Sequence, residues 1–187
     1  MSLDLRSELQ SALRCCNSGS TMSARPGRSP VQILRQNHAI EHATVTLIGR
    51  QAPGAQIVAR SDLQGFMVYG NVDTALLQAT AEEALARLQA GEAALAVHPN
   101  CGTNLVTAGM LSGLAAFAAG SGRNRSLWDR VPSAILGATL ALIVAVPLGR
   151  WTQANITTTG QVQGLHITRV VKVADGPVVR HRVVIAE

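Results

Sequence analysis

Between residues 31 and 51 apolar positions recur every three or four residues, as on a helix. Val31, Leu34, Val45 and Ile48 form one stripe and Ile33, Ile40 and Leu47 another. Ser29 followed by Pro30 supplies an N-cap and a first-turn proline, and Pro53-Gly54 ends the run. Two short extended runs follow, 56–60 and 65–70, on either side of a polar turn at 61–64, and predict a hairpin. Asp73 is placed to cap an alanine- and leucine-rich helix that Gly91 closes, and AALAVHP at 93–99 reads as a third strand.

The pattern then changes character. Residues 93–122 contain no Asp, Glu, Lys or Arg, and 104–120 are apolar or small throughout. Arg130 and Arg150 bracket a second charge-free stretch of 19 residues, close to the roughly 20 that a helix needs to cross a hydrocarbon core of about 30 Å. Gly109 with Gly113, and Gly137 with Ala141, stand at the small-residue spacing that lets two helices approach closely in lipid. A transmembrane hairpin is expected, joined by the polar loop 121–130, although Pro147 would kink its second helix. The arginines of that loop (Arg123, Arg125, Arg130) argue for a cytoplasmic loop. A preceding α/β domain without a cleavable export signal argues for cytoplasmic termini, which is the expectation adopted.

Beyond Trp151, an interfacial anchor, LHITRVVKV and VVRHRVVIA flank the turn Ala174-Asp175-Gly176-Pro177 and predict a terminal hairpin. Strand alternation places His166 and His181 on the solvent side. The fold class is therefore α+β: a tail over 1–29 with a short helix at 3–13, a helix/hairpin/helix/strand domain over 30–102, a transmembrane hairpin over 103–150 and a C-terminal β-hairpin over 151–187.

Composition narrows the partners. The chain has 187 residues, 47% hydrophobic and 14% charged, with a mean hydropathy of +0.20, which is too apolar for an ordinary soluble domain of this size. Its net charge of +5 comes from dispersed arginines, and with only 3% aromatics there is no stacking platform or basic stripe for nucleic acid. A lipid bilayer is the expected partner, with protein partners in the membrane as a further expectation. Cys15, Cys16 and Cys101 are an odd set without repeated spacing, which points away from a disulfide framework, and the Cys15-Cys16 pair reads as incidental to the tail.

One motif carries chemistry. His38-Ala39-Ile40-Glu41-His42 is an H-x-x-E-H pattern. On a helix His38 and His42 lie one turn apart on the same face, so two imidazole nitrogens converge on one divalent ion, zinc by ligand type, with Glu41 beside them as a general base. If that face were buried without partners, two imidazoles and a carboxylate would cost several kcal/mol. The stripe of Ile33, Ile40 and Leu47 can be the packing side instead, leaving the His/Glu face to a cleft. A zinc site needs a third protein ligand. His98 and Cys101, in the turn-rich segment HPNCGTN before the first span, are the candidates, whereas Glu82 and Glu83 read as solvated carboxylates. The alternative for HPNCGTN is a helix cap in which Cys101 is a small buried thiol.

The segments NHAIEHAT, SDLQGFMVYGNVDT and LAVHPNCGTNL, the last leading into a membrane span, resemble a family of bacterial membrane proteins that is a domain of unknown function. The resemblance covers roughly residues 35 to 150 and implies a membrane location without an activity. A separate likeness, to inverted-motif zinc metallopeptidases, covers five residues. The residues themselves lead to two expectations. In the first, a membrane-anchored domain performs zinc-assisted hydrolysis of a peptide or amide near the membrane surface. In the second, a non-catalytic subunit or assembly factor uses His38, Glu41, His42 and His98 as a hydrogen-bond network held by Asn37, Asn100 and Asn104. A histidine ligating a haem or pigment is a third, weaker option.

Overall fold

The structure is a computed structural model that describes residues 27–121, 126–174, 176 and 178–187. The helix expected at 3–13, the Cys15-Cys16 pair, Arg123 and Arg125 of the loop, and Asp175 and Pro177 of the last turn lie outside the described residues. Helix α1 runs Pro30–Gln51, with the Ser29 hydroxyl accepting from the Gln32 amide at 3.2 Å. Strands β1 (Val58–Asp62) and β2 (Gly65–Tyr69) form the expected hairpin, with the turn tightened to Leu63-Gln64. The Asp62 carboxylate accepts from the Gln64 amide at 2.8 Å, a local bond that favours the tight turn. Gly65 has φ +146, and a Cβ there would strike the backbone of Val183 on the neighbouring strand.

Helix α2 (Thr74–Gln89) starts where expected, with the Asp73 carboxylate accepting from the Ala75 and Leu76 amides, each at 2.9 Å. The strand expected at 93–99 is absent. Ala93–Ala96 is a 3-10 turn held by Leu95 N–H to Glu92 O (3.0 Å) and Val97 N–H to Ala94 O (3.2 Å). Three of its four residues are alanine, which has little preference for a sheet, and burying Leu95 and Ala96 against the core decides its conformation.

The last strands, β3 (His166–Ala174) and β4 (Arg180–Ala186), form the expected hairpin and join the first one. β4 pairs with β2 in register Gly65 to Val184 and Tyr69 to Arg180, giving one antiparallel sheet of order β1-β2-β4-β3. β4 alternates, so His181, Val183 and Ile185 all face inward. His181 is 1% exposed, with its Nε2 3.0 Å from the Thr74 hydroxyl, which corrects the solvent-facing expectation; His166 is exposed as expected. The solvent-facing expectation treats the last hairpin as standing alone, whereas its pairing with β2 gives β4 a buried inward face. Helices α1 and α2 cover one face of the sheet around Ile40, Leu47, Phe66, Val68, Leu77, Leu88, Val183 and Ile185.

Helices α3 (Gly102–Gly120) and α4 (Leu127–Thr152) form an apolar hairpin beside this layer. Their 19 and 26 residues span about 28 and 39 Å, and both are long and apolar enough to cross a membrane. Their large apolar side chains, among them Leu105, Met110, Leu114, Phe117, Ile135 and Ile143, point outward, whereas a core helix would turn them in. The facing surfaces are small. A Cβ on Gly137 would come to 3.0 Å from the Ala115 carbonyl and from the Ala119 methyl, so this glycine sets the approach. Gly109 and Gly113 have open space where a side chain would project, so the close contact expected of them falls to Ala115 and Ala119. Pro132 and Pro147 are both accommodated within α4.

Candidate metal centre

The face that α1 packs against the core fixes where its His/Glu stripe lies, with His38 partly exposed and Glu41 and His42 buried. Ile33, Ile40 and Leu47 pack inward with Ala39, Ala43 and Ile48, while Val31 and Leu34 are exposed. Burying each large aliphatic contributes about 1.5–3 kcal/mol, whereas burying the His/Glu stripe unpaired would cost more than it gains. Rotation of the helix is thereby set, and His38, Glu41 and His42 line a cleft of about 800 Å³ whose other walls include β1, His98 and Cys101.

Each histidine is oriented by a backbone carbonyl. His38 Nδ1 lies 3.1 Å from Thr157 O and His42 Nδ1 lies 2.7 Å from Ala96 O. A carbonyl only accepts, so both rings carry a proton on Nδ1, which leaves Nε2 as the nitrogen that each would offer a metal, the orientation that a second-shell acceptor imposes on metal-binding histidines. The carbonyls come from irregular turns, Ala96 from the 3-10 turn and Thr157 from the π-helical turn Gln153–Thr157 after α4. Arg35 secures the latter by donating to the Asn155 and Thr158 carbonyls, each at 2.9 Å. The three asparagines expected to hold the imidazoles bond mostly to backbone. Asn37 donates to Asp62 O, Asn104 to the carbonyls of His98 and Pro99, and Asn100, through its backbone amide, to the imidazole of His98.

Cys101 is both cap and neighbour. It is the N-cap residue of α3, its sulfur accepting from the Thr103 amide at 3.4 Å, and the same sulfur stands 3.5 Å from His38 Nε2. Donor atoms of His38, His42 and Cys101 all lie within 4.8 Å of one another. With Zn–N near 2.0–2.1 Å and Zn–S near 2.3 Å, ligand atoms around a tetrahedral zinc stand about 3.3–3.7 Å apart, so the trio needs only a small contraction to close on an ion. His98 stands one step outside it: its ring centroid is 5.8 Å from that of His42, and its Nδ1 accepts from the Asn100 amide at 3.2 Å.

The electrostatics suit cation binding. Burial pushes the Cys101 thiol up, but hydrogen bonds with His38, His42 and Thr103 outweigh it and bring its pKa down to about 5, so the thiolate predominates at neutral pH. Burial works to lower the His38 pKa, yet its bond to Cys101 and the Glu41 charge raise it above the usual value. Burial raises Glu41 above the usual carboxylate range against the hydrogen bond that its Oε2 accepts from the Ser61 hydroxyl. His98 is lowered by burial and by the neighbouring His42.

Residues that sequence reasoning missed are the supporting ones. Ser61 holds Glu41, and Gln153, fully buried, accepts from the His98 amide at 2.9 Å while donating to Asn104 Oδ1 at 2.7 Å. Only the polarity of Gln153 so close to an apolar span marked it. Glu82 and Glu83 lie away from the centre on α2, where Glu83 pairs with Arg87 at 2.7 Å.

Comparison with known proteins agrees with the resemblance read from the motifs. The sequence matches a domain of unknown function, DUF6391, over residues 33–170. An uncharacterized protein of Picosynechococcus sp. is 36% identical over 143 residues, covering 71% of this chain and 69% of that protein. No solved structure matches the chain. The match takes in the whole candidate centre and both apolar helices, and the chain belongs to the DUF6391 family.

Proposed function

We propose that this is a two-span membrane protein whose α/β layer binds zinc through His38, His42 and Cys101 and hydrolyses a peptide or amide bond near the membrane surface. The supporting observation is that both imidazoles are pinned at Nδ1 by backbone carbonyls, which leaves Nε2 as the nitrogen for a ligand, that of His38 3.5 Å from the Cys101 sulfur, in a cleft shared with Glu41. His38, His42 and Cys101 would hold the ion, and a site with three protein ligands would keep room for water or substrate. Zinc bound there supplies Lewis acidity, which makes water a competent nucleophile near neutral pH. Glu41 would take a proton from the attacking water as its oxygen adds to the substrate carbonyl carbon. When the C–N bond breaks, the proton passes from Glu41 to the departing amine, leaving a carboxylate and an amine. Ser61 orients the Glu41 carboxylate, and Arg35 and Gln153 fix the turns that aim the histidines.

The membrane reading draws support from two exposed apolar helices; on this reading the centre, at the N-terminal end of α3, lies near the bilayer surface and both termini are cytoplasmic. Replacing Glu41 by Gln tests the mechanism. Hydrolysis falls by at least about 100-fold, the scale of a lost general base, while bound zinc is unchanged; a Glu41→Gln protein with wild-type turnover contradicts it. The rival reading, a non-catalytic subunit, draws support from the Gln153 network that ties His98 and Asn104 to the end of α4. It predicts that His38→Ala and His42→Ala fail to fold or assemble, with no metal in the wild type.

A further inference from the structure

Among the described residues β1 is an edge strand: it pairs with β2 on one side and has no described strand on the other. Five consecutive residues, 57 to 61, line the cleft, residues of both side-chain parities. One face of a strand would contribute every second residue, so it is the free edge of β1 that borders the cleft. In an antiparallel ladder a strand paired on one side turns alternate N–H and C=O groups toward its free edge. Among the described residues only the Asn37 amide bonds β1 backbone from outside the sheet, at the Asp62 carbonyl, beyond the stretch that lines the cleft.

The cleft is elongated. Its α1 wall runs from Leu34 to Gly49, on the order of 20 Å at 1.5 Å per residue. The opposite wall, β1, ends at Ser61, whose hydroxyl bonds Glu41. A chain lying along β1 would therefore pass His38, Glu41 and His42 near one end of its path. Val58, 68% exposed, offers an apolar contact on that edge.

We infer that the free edge of β1 binds an extended polypeptide as a fifth strand and delivers one of its backbone carbonyls to the His38/His42/Cys101 centre. This rests on the hydrolase reading above and narrows its substrate to unfolded or extended chain segments. Main-chain pairing supplies affinity with little dependence on sequence, and the cleft walls select side chains at alternate positions.

The test uses the full chain in detergent micelles, loaded with zinc, as the Glu41→Gln variant, which holds substrate without turning it over. The probe is β-casein, an unstructured polypeptide, and the readout is amide hydrogen exchange across residues 57–61, with casein cleavage by the wild type and zinc content measured in parallel. The expected result is roughly tenfold slower exchange within 57–61 when casein is present, with exchange on β3, the opposite edge, unchanged. Casein cleavage without protection of 57–61 overturns the edge-strand inference and leaves the hydrolase standing. Zinc bound with neither cleavage nor protection overturns the polypeptide substrate. Absence of zinc from the wild type marks failure of the underlying metal reading, and the inference falls with it.

Discussion

At the scale of single residues, the centre is defined by which nitrogen each histidine commits to the fold. His38 and His42 each commit Nδ1 to a carbonyl, while hydrogen bonds from His38, His42 and Thr103 bring the pKa of Cys101, at the head of α3, down to about 5. The ring of His98 stands at the rim, and its amide is part of the Gln153 network. His98→Ala is therefore expected to retain zinc binding with affinity lowered by about 10- to 100-fold, the range for loss of an outer partner, checked by competition with a chromophoric chelator. Loss as complete as in a ligand variant would move His98 into the coordination shell. The H-x-x-E-H spacing made His38, Glu41 and His42 legible, because a helical period alone puts them together. Cys101 and His98 were legible as a pair but not separable, since the choice depends on how the turn before α3 folds. Ser61, Thr157 and Ala96 carried no signal, because two of them act through backbone atoms and Ser61 reaches Glu41 across tertiary structure.

At the scale of elements, the caps and breakers of α1 and α2 were readable because Ser29, Pro30, Asp73 and Gly91 act locally. The join between the two hairpins was not, since strand pairing across more than 100 residues leaves no local mark. That join is reinforced by Arg182 on β4, which grips both oxygens of Asp62, one at 2.7 Å through Nη2, and also reaches Gln64 Oε1 at 3.0 Å. Burial raises the Asp62 pKa, but the hydrogen bonds from Arg182 and from the Gln64 amide outweigh it and hold the pKa below its ordinary 3.8. A depressed carboxylate stabilises the folded state fully above 3.8 and ceases to do so as pH falls through the lower folded-state value. The stability gap between wild type and Arg182→Gln should accordingly be constant at neutral pH and narrow below pH about 4, as followed by denaturant unfolding. A gap that widens on acidification would contradict the pairing. Between α3 and α4 the small-residue pattern was legible but its partners were exchanged: Gly137→Leu is expected to destabilise the helical pair by about 1–3 kcal/mol, and Gly109→Leu to leave its thermal melting unchanged. Equal sensitivity at the two sites would refute the packing.

At the scale of the whole molecule, one covalent chain joins a sheet covered by two helices to an apolar hairpin whose side chains face outward. Gln153, Asn104 and the Thr157 turn form the joint, so His38 takes its orientation from the end of α4. The account expects the chain to remain in the membrane pellet after alkaline carbonate extraction, and release into the supernatant would contradict insertion of α3 and α4. The central claim is that the joint builds a zinc centre from His38, His42 and Cys101. Elemental analysis of the detergent-purified, chelator-free protein tests it most directly, beside His38→Ala, His42→Ala and Cys101→Ser. Near-stoichiometric zinc in the wild type and its loss in all three folded variants is the predicted result; a folded wild type without metal, or variants that keep it, would contradict the claim.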